Sequence, residues 1–342
     1  MIKKININSQ ETRVTWIALL NKEGIKHEDN VEEVFGLFEN DNLIATAARY
    51  QNVIKCVAVD SDYQGSASFN EIISYLMNQN TSHGYFKHYV YTKPESQKAF
   101  EYLGFQAIEN VDNKLVFMEK AITGFNSFIK KLEAEQVDKE NIAAIVMNAN
   151  PFSLGHQYLV EKAASENDFV YVFVLSEEMS VFTTSIRTEL VKAGLSHLDN
   201  VKVLSTENYM VSNATFPSYF LKEDDDTTAI QARLDAKIFA NHIAKALKIS
   251  KRLVGEEPYS RSTNLYNEAM KIEFADKLDL EVIPRLANNE DIISATKIRN
   301  FLIADDLNSV KKYVPKTTYD FLVSEAGKAV IMALKESNHE HP

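Results

Sequence analysis

The 342 residues are 45% hydrophobic and 25% charged, the composition of a soluble globular protein with room for two ordinary domains. A formal charge of -11 argues against a nucleic-acid partner, and no apolar run approaches the ~20 residues that a membrane span needs. The single cysteine, Cys56, excludes an internal disulfide and a cysteine-based metal cluster, and the eight histidines fall in no metal-ligand spacing. The basic start MIKKININSQETRVTW lacks the apolar core of a signal peptide, so the expected setting is the cytoplasm.

In chain order, residues 1 to 120 read as a mixed α/β unit. Val34–Phe38 and Leu43–Arg49 are predicted strands around the polar turn Glu39–Asn42, and Val53–Val59 is a third. Tyr63-Gln64-Gly65 reads as a turn, Phe69–Met77 as a helix, Lys87–Tyr91 as a strand and Ser96–Leu103 as a helix. Phe105–Ile108 and Leu115–Met118 close the unit. Over residues 121–140 the composition shifts: Phe125, Phe128, Ile129 and Leu132 give an amphipathic start, and LEAEQVDKE ends in charge. This predicts a linking helix at a domain boundary.

From Asn141 the pattern alternates. Strands are expected at 142–147, 169–175, 201–204, 251–254 and 280–283. Helices are expected at 155–166, 184–198, 227–248, 263–277 and 296–303, with a closing helix after Pro315. Such alternation predicts a doubly wound parallel sheet that binds ligands over the carboxyl ends of its strands. The acidic run Glu223–Asp226 stands just before a helix, where carboxylates cap and complement the dipole, and so reads as capping and not as a metal site. No Walker sequence and no GxGxxG occurs. The stretch Ile142–Lys162 instead offers a buried strand, a short turn and a helix start carrying His156, where free N–H groups and the helix dipole favour a phosphate.

Motifs narrow this reading. The order of the first domain, with VAVDSDYQGSAS at 57–68 and SQKAFEYLGFQAI at 96–108, resembles the GNAT acyltransferase fold. In that family a glycine-rich turn lets backbone N–H groups approach the pyrophosphate of acetyl-CoA. Gln64 and Gly65 fit the pattern. Ala67 and Phe69 stand where glycines belong, and their side chains should crowd the cradle, which implies a degenerate domain kept for packing or partner docking. Further along, Ser153-Leu154-Gly155-His156 fits the (H/T)xGH signature of the nucleotidyltransferase superfamily, with Ser in the first place. Ile293-Ser294-Ala295-Thr296-Lys297-Ile298-Arg299 fits its ISxTxxR-type partner.

Together with MNANPFSLGHQYLVEKA, NATFPSYFL at 213–221, VGEEPYSRSTNLYNEAM at 254–270 and IPRLANNEDIISATKIR at 283–299, these motifs make nearly the whole chain resemble the citrate (pro-3S)-lyase ligase family. That resemblance implies a GNAT-like α+β domain at 1–120, a linking helix at 121–140, and a Rossmann-like, doubly wound nucleotidyltransferase domain at 141–342. It implies an acid-thiol ligase that joins acetate to ATP as acetyl-AMP, releasing pyrophosphate. The acetyl group then passes to the prosthetic-group thiol of the acyl carrier subunit of citrate lyase, with Mg²⁺ entering alongside ATP. In this reading His156, Ser153, Lys297 and Arg299 carry the chemistry. Asn150, Gly155, Arg187, Ser294 and Thr296 hold the nucleotide, Gly255 and Glu256 meet adenine, and Phe216 and Tyr219 face acetate or carrier. No residue is assigned to a protein-held metal. The same half-motifs also permit an adenylyltransferase acting on 4′-phosphopantetheine, and the first domain permits a GNAT acetyltransferase with a nucleotide-binding regulatory domain.

Overall fold

Between Glu33 and Val59 three apolar runs are broken by Asn40-Asp41 and Gln51-Asn52, and they fold as consecutive antiparallel strands: β2 (Glu33–Glu39), β3 (Asn42–Tyr50) and β4 (Val53–Val59), after β1 (Ile2–Ile5) and α1 (Gln10–Lys22). Asn40 and Asp41 both take positive φ, 46° and 63°, as the two central residues of a tight hairpin turn require. The unit continues through α2 (Ser68–Ser82), β5 (Lys87–Thr92), α3 (Gln97–Tyr102), β6 (Gln106–Val111) and β7 (Leu115–Ala121), giving a sheet of order β1-β2-β3-β4-β5-β7-β6. The structure, a computed structural model, describes the chain apart from residues 66, 177–179, 211–215, 217–218, 222–225, 257–260, 285–286, 289–290 and 341–342. Positions 223–225 of the acidic run therefore lie outside the described residues, while Asp226 accepts from the Ala229 N–H at 3.1 Å and caps the helix that follows.

Residues Leu43–Arg49 of β3 are buried, with α1 and α2 packed against the strand. The sequence reading leaves out β1 and α1. In α1 the buried Trp16, Leu19 and Leu20 do sit at helical spacing, but the exposed Val14 blurs the stripe. The one parallel pair in this sheet, β4 with β5, is bonded only at Val53↔Tyr89 and Ile54↔Val90. Beyond those residues the strands part around a cavity of about 460 Å³, lined by Val57, Tyr63, Gly65, Phe69, Lys93 and Tyr219 among others. Phe69, standing where the GNAT pattern wants glycine, packs its ring edge-on against Phe100, with centroids 5.0 Å apart.

After α4 (Phe125–Glu133) comes the parallel alternation: β8 (Ile142–Met147), α5 (Leu154–Glu166), β9 (Phe169–Val174), α6 (Thr184–Gly194) and β10 (Val201–Ser205). Next are α7 (Thr227–Ile238), α8 (Ala244–Leu247), β11 (Lys251–Gly255), α9 (Arg261–Phe274) and β12 (Asp279–Ile283). A short hairpin, β13 (Ala287–Asn288) and β14 (Asp291–Ile292), precedes α10 (Ala295–Ile303), α11 (Leu307–Val310), α12 (Lys316–Val323) and α13 (Glu325–Glu340). The helix expected over 227–248 is broken by a π-helical turn at Phe239–Ile243. The one expected over 184–198 ends at Gly194, where a Cβ would collide with Phe152.

The strands are all parallel, in the order β10-β9-β8-β11-β12. Ile145, Val172, Val174, Val160, Leu190 and Ile298 are among the residues of its core, each such burial stabilising by roughly 1.5–3 kcal/mol. The chain enters at the central strand, winds one way to β10 and returns to the other side with β11, so winding reverses between β8 and β11. A doubly wound sheet opens a ligand crevice at that place. Here β8 and β9 pair along their whole length, whereas β8 and β11 are bonded only at Ala143↔Lys251 and Ala144↔Arg252.

By compactness the chain divides into two units, Met1–Lys130 with Phe216–Leu234, and Lys131–Thr215 with Asp235–Pro342. Phe216–Leu234 thus belongs to the first unit although it lies inside the 141–342 span expected of the second domain.

Candidate active site

Past Met147 the chain leaves the sheet through a tight turn. Ala149 is almost wholly buried at φ 51°, a left-handed conformation that costs a non-glycine residue roughly 1–2 kcal/mol. The carbonyls on either side of it are each held by an arginine. Arg187, fully buried at the start of α6, donates from Nη1 to Asn148 O at 2.7 Å, Asn148 Oδ1 at 2.8 Å and Leu175 O at 2.8 Å. Its Nε donates to Phe182 O at 2.9 Å and its Nη2 to Thr184 Oγ1 at 3.0 Å. Arg299 of α10 donates to Asn150 O at 2.7 Å and to Thr296 Oγ1 at 3.1 Å. The second half-motif therefore grips the turn of the first.

Ser153 is the N-cap of α5. Its Oγ accepts the His156 N–H at 3.3 Å, and its own N–H donates to His156 Nδ1 at 3.1 Å. The Leu154 N–H is taken by Tyr313 O at 2.9 Å. The Gly155 N–H has no partner among the described residues. At α10 the pattern repeats: Ser294 Oγ caps the Lys297 N–H at 3.2 Å, and the Ala295 and Thr296 N–H groups have no partner among the described residues. The residues that carry these donors, at two helix starts with the positive ends of both dipoles, line one space.

That space is a cavity of about 410 Å³ in the β8/β11 opening, walled by Ser153, Gly155, His156, Gly255, Ser294 and Thr296 among others. It thus brings together six of the residues singled out from the sequence. A Cβ built on Gly155 would meet Ile293 and Ser153 Oγ at 3.6 Å, an ordinary contact, so the glycine here keeps the backbone open on a wall of the cavity without being forced by a clash. Gly255, by contrast, faces open space.

The other candidates lie elsewhere. Arg187 and Arg299 do not line the cavity; their guanidinium groups brace the turn behind it. Lys297 lies with its ammonium 5.2 Å from the Tyr313 ring centre and 5.8 Å from that of Phe301. Asn150 does not line the cavity, and its Oδ1 is buried with no hydrogen-bond partner among the described residues. Glu256 is exposed and extends the β11–β12 ladder by donating its N–H to Ile283 O at 2.8 Å. Phe216 and Tyr219 belong to the first unit, where Tyr219 O–H donates to Tyr91 O at 3.0 Å, its N–H to Glu28 Oε1 at 3.1 Å, and Phe216 packs edge-on against Tyr91. Sequence reasoning missed Asn148, Tyr158, Leu159, Ile283 and Pro284 as wall residues. The rule that ligands sit over strand carboxyl ends would have pointed to Asn148, Ile283 and Pro284.

Among the described residues no group of three or more His, Cys, Asp or Glu side chains is placed to hold a metal ion. The free backbone donors and the missing Cβ of Gly155 do fit a nucleotide's phosphates.

The citrate lyase ligase C-terminal domain family matches residues 142–322. A citrate (pro-3S)-lyase ligase of Haemophilus influenzae is 32% identical over 324 residues, covering 92% of this chain and 97% of its own. One from Escherichia coli is 31% identical over 321 residues, covering 92% of this chain and 91% of its own. A phosphopantetheine adenylyltransferase of Streptococcus gordonii is 35% identical over 71 residues, only 20% of this chain and 43% of its own. With one family matched along nine-tenths of the sequence and both half-motifs walling one cavity, the chain belongs to the citrate (pro-3S)-lyase ligase family.

Proposed function

We propose that this chain activates acetate with ATP, forming acetyl-AMP and pyrophosphate, and passes the acetyl group to the prosthetic-group thiol of the acyl carrier subunit of citrate lyase in the cytoplasm. The observation that carries the reading is the convergence of the Gly155, Ala295 and Thr296 N–H groups with His156 on one cavity. Attack of a carboxylate on the α-phosphorus builds negative charge on the phosphoryl oxygens and on departing pyrophosphate. Fixed donors aimed at those oxygens stabilise that charge without having to reorganise. His156 adds a side-chain donor at the start of α5, and the Gly155 N–H lies beside it. The α10 start receives the outer phosphates. Arg187 and Arg299 act from behind, holding the turn that presents the first set of donors.

Acetate is already ionised at neutral pH, with a carboxyl pKa of roughly 4 to 5, so the first step calls for no general base. The second step must take a proton from a thiol of pKa about 8.5. Mg²⁺ would arrive on the nucleotide, held by phosphate oxygens and water.

The test is incubation of the protein with ATP, Mg²⁺, acetate and deacetylated carrier. AMP, pyrophosphate and a restored acetyl thioester are expected; absence of all three overturns the proposal. The 71-residue likeness to a phosphopantetheine adenylyltransferase motivates a second reading, in which the product is a stable nucleotidyl conjugate and no free AMP appears.

A further inference from the structure

We propose that Ser153 is a positioning residue that selects the tautomer of His156, and that its hydroxyl does not contact phosphate. The inference rests on reading His156 as a donor to the nucleotide, and deepens that reading. A backbone N–H can only donate, so the Ser153 N–H at 3.1 Å from Nδ1 requires Nδ1 to present its lone pair. The ring proton of the neutral imidazole is then on Nε2. Ser153 Oγ lies 2.9 Å from the same Nδ1 while it accepts the His156 N–H at 3.3 Å. With Nδ1 an acceptor and the amide a donor, one arrangement satisfies all three contacts: the hydroxyl accepts from the amide and donates to the ring, whose single Nδ1 lone pair is shared between the hydroxyl and the Ser153 N–H. The hydroxyl proton is thereby committed within the protein, on a residue that is only 2% exposed.

The ring plane is fixed as well. Phe152, fully buried, lies nearly parallel to the imidazole at 15°, with centroids 5.9 Å apart. Phe152 is in turn held where Gly194 lacks a side chain. Rotation and tautomer are both set, and Nε2–H is the donor that the ring can offer.

The consequence is that Ser153 acts on the reaction only through His156. The experiment uses the full chain labelled with ¹⁵N-histidine, His156 being identified by difference from His156→Gln, together with pyrophosphate-release rates for Ser153→Ala, Ser153→Thr, His156→Ala and the Ser153→Ala/His156→Ala double variant. In the wild type and in Ser153→Thr, Nδ1 should be the unprotonated nitrogen. Ser153→Ala should show a mixture of ring states and lose on the order of tenfold in kcat with little change in KM for ATP. Ser153→Thr should restore the rate. The double variant should be no slower than His156→Ala, because effects transmitted through one group do not add.

A protonated Nδ1 in the wild type would overturn the proposal. So would an equal slowing by Ser153→Ala in the His156→Ala background, since the serine would then touch phosphate itself. If His156→Ala alone leaves the rate unchanged, the nucleotide-donor reading of His156 fails, and the nitrogen spectra still decide whether Ser153 sets the tautomer.

Discussion

His156 serves both the chemistry and the local fold: its ring lies on the cavity wall, outside the sheet core, and also closes the capping box of α5. His156→Ala should lower the adenylation rate by roughly 10²–10³, the usual size for one lost transition-state donor, with the fold kept and only a modest fall in the unfolding midpoint from the lost cap contact. Pyrophosphate release and thermal melting measure the two. Gly155→Ala should also fold, since its new Cβ meets Ile293 at van der Waals distance, yet ATP binding by calorimetry should weaken about tenfold or more as the methyl group fills the cradle. Cys56 gives a different kind of residue prediction. Burial, with the nearby Glu28 carboxylate, pushes its thiol up to about 12, so iodoacetamide at neutral pH should label it only when the protein unfolds. Two peptides with a Ser, a Gly-His and a Thr at helix starts were legible in the sequence, because phosphate binding there depends on local backbone geometry. The direction of a long cationic side chain was not. Nothing in TTSIRTELV says that Arg187 turns inward to three carbonyls, or in ISATKIR that Lys297 lies against Tyr313.

At the level of elements, both sheets open a cavity in the same way. A parallel pair, β4 with β5 or β8 with β11, is bonded at two positions and then diverges. What keeps the second opening in shape is the braced turn after β8, and Arg187 is its main support. Arg187→Ala would leave the carbonyls of Asn148, Leu175 and Phe182 without that donor in a buried site. It should destabilise the protein by about 3 kcal/mol or more, read from urea unfolding. Arg187→Lys should recover little of this, because an ammonium cannot span the same fork of acceptors. The strands β8 and β9 were readable because a strand buried on both faces is a continuous apolar run, while β10, β11 and β12 are shorter, carry Lys, Arg, Asp or Glu, and were legible from the alternation with helices. β1 and α1 were not: β1 is four residues with two lysines at its centre, and the apolar residues of α1 run together from Trp16 to Leu20 with Val14 exposed, so no clean stripe shows. The β13–β14 hairpin is only two residues on each side, below what alternation can show. The π-helical turn in 227–248 carries buried Phe239, Ala240 and Ile243 within a longer apolar stretch, so composition gives no sign of the break.

On the scale of the whole molecule, reading from one end assigns each residue to the same domain as its neighbours in sequence. Such a reading puts the boundary at 121–140 and Phe216–Leu234 in the span that follows it, whereas by compactness this segment groups with Met1–Lys130, an assignment that no linear reading can make. The segment is held by more than contact: Tyr219 bonds through its N–H, its O–H and its carbonyl, the last accepting from the Lys26 N–H at 2.8 Å. Tyr219→Ala should therefore destabilise the first unit by about 3 kcal/mol, as for other large buried rings. A fragment ending at Lys130 should melt well below the intact chain, as followed by circular dichroism.

The same segment sets a timetable on the ribosome. Seven strands of the first sheet are complete once Ala121 has emerged, but the residues that finish that unit are not made until Lys131–Thr215 has been translated. At 5–20 residues per second the wait is on the order of ten seconds. Throughout it Tyr91 and Glu28 lack their partners on Phe216 and Tyr219, and the half-built unit offers apolar surface to whatever chaperone is nearest the exit tunnel.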